Sequence, residues 1–257
     1  MTIADENKRG YGKMKRNQTW ARICFSGVLA LMFLFLLPMS SFAQEKPVGK
    51  VIGITGTVEF VTGDAAPVAQ AKPGQAVPAS FVPWETAKFE QPVYAKDQFR
   101  TAPNSRLKIL FTDQSLIALG PNSKMSVESY IYKPDEKLRQ GAINVAHGLS
   151  MYIVNKSQTH SKSSFDIISP TANVSARGTN GYMSVSEKIT LIANKSGHIE
   201  TKNSDPKVLG AETVGNMEKN MIEKGKPPTK PTPLSHEELT AIRNFVVAGR
   251  PPSPGLE

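Results

Sequence analysis

Ser169-Pro170-Thr171-Ala172-Asn173-Val174-Ser175-Ala176-Arg177-Gly178-Thr179 runs directly into Asn180-Gly181-Tyr182-Met183-Ser184-Val185, and this stretch decides the fold. A Pro-containing turn opens it, an extended segment follows, a glycine breaks the run after Arg177, and a second extended segment ends at Val185. Turn residues bounding short runs of strand-forming residues are the mark of paired β-strands. The same grammar holds upstream. Arg106–Phe111 alternates in part, Thr112-Asp113-Gln114 turns, Ser115–Gly120 extends, Pro121-Asn122 turns again, and Lys124–Tyr132 runs on. Strand starts recur about every nine residues, which argues for a meander, a sandwich or a solenoid-like stack and against alternating βα units. No exact repeated motif is visible, so a strict repeat protein is not supported.

Working outward, Val48–Val61 reads as an opening strand with glycine-marked bends, and Gly141–Val154 as two strands broken at Gly148. Phe165–Ile168 begins the decisive hairpin. Ile189–Ala193 and Gly197–Glu200 supply further strands, with Lys207–Leu209 and Glu212–Val214 as the last, short ones. The expectation is an all-β chain: a single β-rich domain of short strands, sandwich- or solenoid-like, over residues 48–214. Residues 63–83, rich in Ala, Pro, Gln and Gly, read as a loop insertion, where Gly63 carries no special conformational demand. Trp84, Phe89 and Tyr94 follow it, as edge packing or as a binding platform; with the insertion they are the leading candidate for the recognition surface, the rival being a tolerated insertion with no role. Residues 215–234 read as a Pro/Lys-rich linker, 235–247 as a short C-terminal α-helix and 248–257 as a tail. Ser235 and Glu238 form a capping box, Leu234 and Leu239 a hydrophobic staple, and Leu239, Ile242, Phe245 and Val246 an apolar face. A helix this short is marginal alone, so that face docks on its own β domain or on a partner.

The chain has 257 residues, 39% of them hydrophobic and 7% aromatic, which suits a globular, loop-rich protein. Of the net charge of +9, Lys8, Arg9, Lys13, Lys15, Arg16 and Arg22 against Asp5 and Glu6 supply +4, leaving +5 spread over the rest. That distribution argues against nucleic acid as a partner. The basic stretch precedes a run uninterrupted by charge from Ile23 to Leu37, then Pro38 and the small residues Ser41 and Ala43. Residues 1–43 therefore read as a signal peptide for Sec export, with an apolar core short of the roughly 20 residues that span a bilayer. An uncleaved anchor is the alternative, and only then is the membrane a partner. The single cysteine, Cys24, lies inside the leader, so the processed chain carries no thiol for catalysis, disulfides or metal binding.

Taken in order, Gly49–Val61, Val93–Thr101, the strand–Asp–strand hairpin of Ser105–Leu119 and the Ser169–Val185 element resemble the FecR domain. This is an all-β module of bacterial cell envelopes, and the likeness extends over about Val48–Val214. Two departures stand out: Gln114 occupies the place where a glycine commonly follows the turn aspartate, and the 63–83 insertion separates the first two elements. The resemblance implies a structural motif in Asp113, Pro170, Arg177, Gly178 and Thr179. Asp113 would accept backbone hydrogen bonds in its turn. Gly178 would take a conformation or a close approach denied to side chains. Arg177 would form a buried ion pair, cap strand-end carbonyls or face a ligand. The best-known FecR members regulate sigma factors across the membrane through a cytoplasmic domain. The residues up to Arg22 are too few to fold one, so the likeness is to the extracytoplasmic module alone.

The residues offer little chemistry. The 4 histidines, His147, His160, His198 and His236, lack ligand spacing, so no metal or cofactor is expected. Ser105 and Lys108 satisfy Ser-x-x-Lys, but at a strand start, where alternation sends them to opposite faces. Asp97, Asp113 and Asp166 could be recruited as general acids, but their spacing sets up no catalytic pair of carboxylates. The expectation is a non-enzyme: an exported, periplasmic or secreted envelope protein binding a protein, glycan or cell-wall partner. The alternative is a signal-transduction component anchored in the inner membrane by its leader. Amino-terminal sequencing of the exported protein checks the first step. It should begin at Gln44, and a chain still starting at Met1 and fixed in the membrane would show an anchor instead.

Overall fold

The computed structural model describes residues 46–63, 84–156 and 163–248. The leader, most of the 63–83 insertion, His160 and the tail from 249 onward lie outside the described residues. The strands are β1 (Gly49–Thr55), β2 (Val58–Val61), β3 (Glu85–Thr86), β4 (Pro92–Val93), β5 (Gln98–Thr101), β6 (Arg106–Phe111), β7 (Leu116–Leu119) and β8 (Lys124–Lys133). They continue with β9 (Leu138–Val154), β10 (Ser164–Ile168), β11 (Ala172–Val185), β12 (Ile189–Asn203), β13 (Ala211–Val214), β14 (Glu218–Glu223) and β15 (Thr232–Pro233). One helix, α1 (His236–Arg243), passes into a π turn at Asn244–Ala248. The fold is all-β with a short C-terminal helix, as its alternating apolar residues require. In β6, for example, Leu107, Ile109 and Phe111 are buried while the residues between them are not.

All 15 strands belong to one hydrogen-bonded sheet. Its pairs are antiparallel except β9–β10. The sheet nevertheless makes two layers, because its long strands fold over. β9 is 17 residues long. Its first part pairs with β8 as far as His147, and its last part pairs with β7 and β11. Between them Gly148 sits at φ 98°, and the two ends of the strand meet again where Arg139 Nη1 donates to the Asn155 carbonyl at 2.7 Å. Glycine thus bends this strand without ending it, so the two strands expected around Gly148 are one.

The ribbon of β11 and β12 does the same. Its register shifts between Arg177 and Gly181, beside Gly178 at φ 64° and Gly197 at φ 84°. Beyond the bend the layers face one another: Thr171 Oγ1 donates to Thr190 Oγ1 at 2.7 Å, and Asn220 Nδ2 donates to Thr201 Oγ1 at 2.8 Å. The core between the layers includes Val51, Phe99, Ile109, Phe111, Met125, Ile143, Tyr152, Phe165, Val174 and Ile192.

Three expectations need correction. Residues 215–234 are not a free linker, since β14 and β15 lie within them and extend the sheet beyond Val214. Asn220 and Ile222 alternate inward there, and the polar side chain masks the strand pattern. The Pro-rich part is itself an edge, where Thr229 N donates to the Met221 carbonyl at 2.9 Å; proline, lacking a donor, is tolerated at such a place. Lys207–Leu209 is a loop rather than a strand, because Asp205 gathers the Lys207 and Val208 amides into a turn. Gly63 is not unconstrained, since a Cβ there would lie 2.0 Å from Lys96 Cβ.

At Gly178 the left-handed conformation coincides with crowding, a Cβ falling 2.8 Å from Lys156 Cβ. Gly178→Ala should therefore cost about 1–3 kcal/mol, read as a shift in the urea midpoint, and Gly63→Ala should be costly as well. An unchanged midpoint for Gly178→Ala would show that the bend does not need glycine.

Candidate functional site

The turn joining β6 to β7 holds the densest polar cluster. Asp113 Oδ1 accepts from Ser115 N at 2.9 Å, while Oδ2 accepts from Ser115 Oγ at 2.7 Å and from Arg139 Nη1 at 3.1 Å. Asn155 closes the group by donating from Nδ2 to the Asp113 carbonyl at 2.9 Å and from its backbone N to Ser115 Oγ at 3.0 Å. Arg139 is 0% exposed and Asp113 4%. Tyr130 stacks on Phe111 at 4.9 Å, and burial first, then the Asp113 charge, raises its hydroxyl pKa above the ordinary tyrosine value. Buried at Asp113 and Arg139 and exposed only at Asn155, this cluster ties three chain segments together. In the sequence Arg139 falls in the charged stretch between the Lys124–Tyr132 and Gly141–Val154 runs, which reads as a turn. The missed signal is its phase, since Arg139 alternates with the buried Gly141, Ile143 and Val145 along β9.

The other motif residues are structural too. Pro170 is exposed in the turn before β11, its carbonyl accepting from Ser204 Oγ at 2.7 Å. Arg177 is exposed and donates from Nη2 to the Ser163 carbonyl at 2.8 Å, one of the three roles left open for it. Thr179 is buried beside the bend. Gln114 takes φ 68°, which explains why glycine is common at that place.

Trp84, Phe89 and Tyr94 do not form one platform. Trp84 is half-buried, with the Arg100 guanidinium 4.3 Å from its ring centroid and the Lys124 ammonium 5.4 Å away, and Arg100 Nε also meets Glu59 Oε2 at 2.6 Å. Phe89 stands 66% exposed on a turn. Tyr94 is half-buried, its backbone N donating to Asp97 Oδ2 at 2.8 Å. Among the described residues none of these rings contacts another. Ser105 serves the chain, its Oγ accepting from Thr57 N at 2.8 Å, and among the described residues no acidic, histidine or cysteine group is arranged to hold a metal.

A concave surface does form where α1 crosses the outer face of the sheet. Cross-strand register lines up Met151, Tyr182, Ala193 and Lys219 in one row, and Leu149, Ser184, Leu191 and Met221 in the next. The helix covers the first row, burying Leu234, Leu239 and Val246 against Tyr182 and Ala193. It therefore docks on its own β domain. Its capping box is formed, with Glu238 N donating to Ser235 Oγ at 3.1 Å and Ser235 N to Glu238 Oε2 at 3.0 Å. Lys219 pairs with Glu238, and that hydrogen bond first, then the Ser235 amide, holds the Glu238 carboxyl below its ordinary pKa. Among the described residues the second row is covered only at one end, where Leu149 packs against the helix cluster, and Leu191 and Ser184 stay exposed. This row floors a groove of about 740 Å³ walled by Ala241, Ile242 and Phe245, in which Leu191 is 49% exposed.

Residues 97–210 match the family model described as FecR protein. A search of curated protein sequences returned no match. A search of solved structures found two crystal structures of a "putative anti-sigma factor" from Parabacteroides distasonis ATCC 8503. One has 9% identity and a TM-score of 0.45, with 56% of this chain and 62% of that chain covered. The other has 10% identity and a TM-score of 0.44, with 56% and 63% covered. The match thus spans less than two thirds of those proteins.

The buried pair should be intolerant of losing one partner. Asp113→Ala leaves Arg139 charged and buried, and is expected to cost about 3–5 kcal/mol in urea unfolding. Asp113→Leu combined with Arg139→Met should recover part of that loss. A single variant as stable as the wild type would show that the pair does not hold the segments together.

Proposed function

We propose that this chain, which carries a FecR domain, is an exported cell-envelope protein of signal-transduction type that works as a non-enzymatic interaction module. Its recognition surface is the open groove beside α1, and it receives an apolar or amphipathic segment of an envelope protein. The observation that carries this reading is the groove floor beside the helix, where Leu191 is 49% exposed between the half-buried Leu149 and Met221. A concave, mostly apolar surface with a few polar groups at its rim is the usual form of a binding site. Here Lys219 and Glu238 supply the rim, and the half-buried Met221 adds a side chain that adapts to a partner's shape. The floor is aliphatic and thioether rather than a flat aromatic face, which favours a protein segment over a glycan.

The test uses Leu191→Glu, a change at a half-exposed position that the fold does not need. Cells expressing the full chain with a photocrosslinking residue at Met221 should capture an envelope protein. Leu191→Glu should abolish that capture while leaving the thermal transition within a few degrees of the wild type. Deleting residues 65–79 should leave capture intact. Undiminished capture by Leu191→Glu, or loss of capture only in the loop deletion, would move recognition to the insertion and the Trp84 edge.

A further inference from the structure

A second surface, which adjoins the groove at Thr229, lies where three loops converge at one edge of the sandwich. The 204–210 loop is pinned: Ser204 Oγ donates to the Pro170 carbonyl at 2.7 Å, Asp205 N to Asn203 Oδ1 at 2.9 Å, Lys207 N to Asp205 Oδ1 at 2.9 Å, and Val208 N to the Asp205 carbonyl at 3.0 Å. Those bonds hold Leu209 out at 82% exposure, the highest of any large hydrophobic side chain among the described residues. Asn203 Nδ2 ties the 223–230 loop to this one by donating to the Glu223 and Lys226 carbonyls at 2.9 and 2.8 Å. Lys224 N in turn donates to the Lys188 carbonyl at 2.9 Å, bringing in the turn between β11 and β12.

The three loops display Lys188, Lys207, Lys224, Lys226 and Lys230, all exposed. Of the acidic residues alongside, Glu223 is paired with Lys226, Asp205 is engaged by backbone amides, and Glu187 stands in the β11–β12 turn. Among the described residues Lys188, Lys207, Lys224 and Lys230 have no carboxylate within ion-pair distance.

From this geometry we propose that the edge is a docking surface for an anionic phospholipid bilayer. Leu209 enters the interface, and the lysines meet the headgroups. A convex tip with one apolar apex fits a plane; a protein partner would call for a broader or concave apolar area, which lies instead in the groove. Lysines near an anionic membrane attract it strongly at low salt and weakly at high salt, and an apolar side chain adds burial in the acyl boundary. The contact would be weak alone and would set the orientation of a domain already near the membrane.

The test uses the full-length protein with Cys24→Ser and Leu209→Cys, the new thiol carrying an environment-sensitive fluorophore; a second protein carries the label at Ser196→Cys, at the opposite, bent edge. On vesicles containing phosphatidylglycerol, the label at 209 should shift to the blue and be quenched by spin-labelled lipid, and the label at 196 should not. Pure phosphatidylcholine vesicles should give no such response at 209. Lys207→Ser, Lys224→Ser and Lys230→Ser together should reduce the fraction of inserted label roughly tenfold. Equal responses at 196 and 209, equal responses on the two lipids, or indifference to the lysine substitutions would each overturn the proposal. Silence on both lipids, with crosslinks from 209 to an acidic protein, would overturn it in favour of that partner.

Discussion

A single guanidinium holds the corner on which the two layers close. Arg139 stands at the start of β9, and its Nη1 reaches both the Asp113 carboxylate and the carbonyl of Asn155, just past the end of the same strand. A buried cation without an anion costs several kcal/mol, so the segment bearing Asp113 must arrive before the corner is stable. Such a pair adds little net energy compared with an apolar substitute, but it penalises every other register of these three segments. The closure of the sandwich at this edge follows from that penalty.

The bends follow from backbone geometry. β9, β11 and β12 run for 17, 14 and 15 residues, and each crosses from one layer to the other. A sharp change of direction is eased by a shift in pairing, as at Arg177–Gly181, and by a residue free of Cβ. Gly148, Gly178 and Gly197 supply the latter, all at positive φ. Gln114 shows the opposite arrangement: a side chain is kept in the left-handed region, and the Asp113 hydrogen bonds offset the strain.

Much of this was legible in the sequence. The strand–turn grammar, the Pro-Thr-Ala to Arg-Gly-Thr element and the capping box at Ser235 are local signals, and local signals survive without a structure. What the sequence hid depends on which face a residue meets. Arg139 reads as a surface charge unless it is counted in phase with Gly141 and Ile143. β14 reads as linker because one of its inward residues is Asn220, whose amide is satisfied by Thr201 in the facing layer. The groove was less legible still, since it exists only where four distant strands align their side chains in register. Aromatic residues drew attention to Trp84, Phe89 and Tyr94, yet their rings are set apart, and the ring of Trp84 is already approached by Arg100 and Lys124.

Because the same strands furnish both layers, neither layer can slide or detach while the other stays intact. In an ordinary sandwich the sheets are separate sheets of hydrogen bonds, joined by loops and able to shear. Here a tug on β9 near Leu138 is passed along the continuous strand to its far end, which pairs with β11 and through it with β12. Stability in such a body is shared, without the graded local openings that independent units permit. The domain would thus carry load between its two layers through the strands themselves rather than through loops.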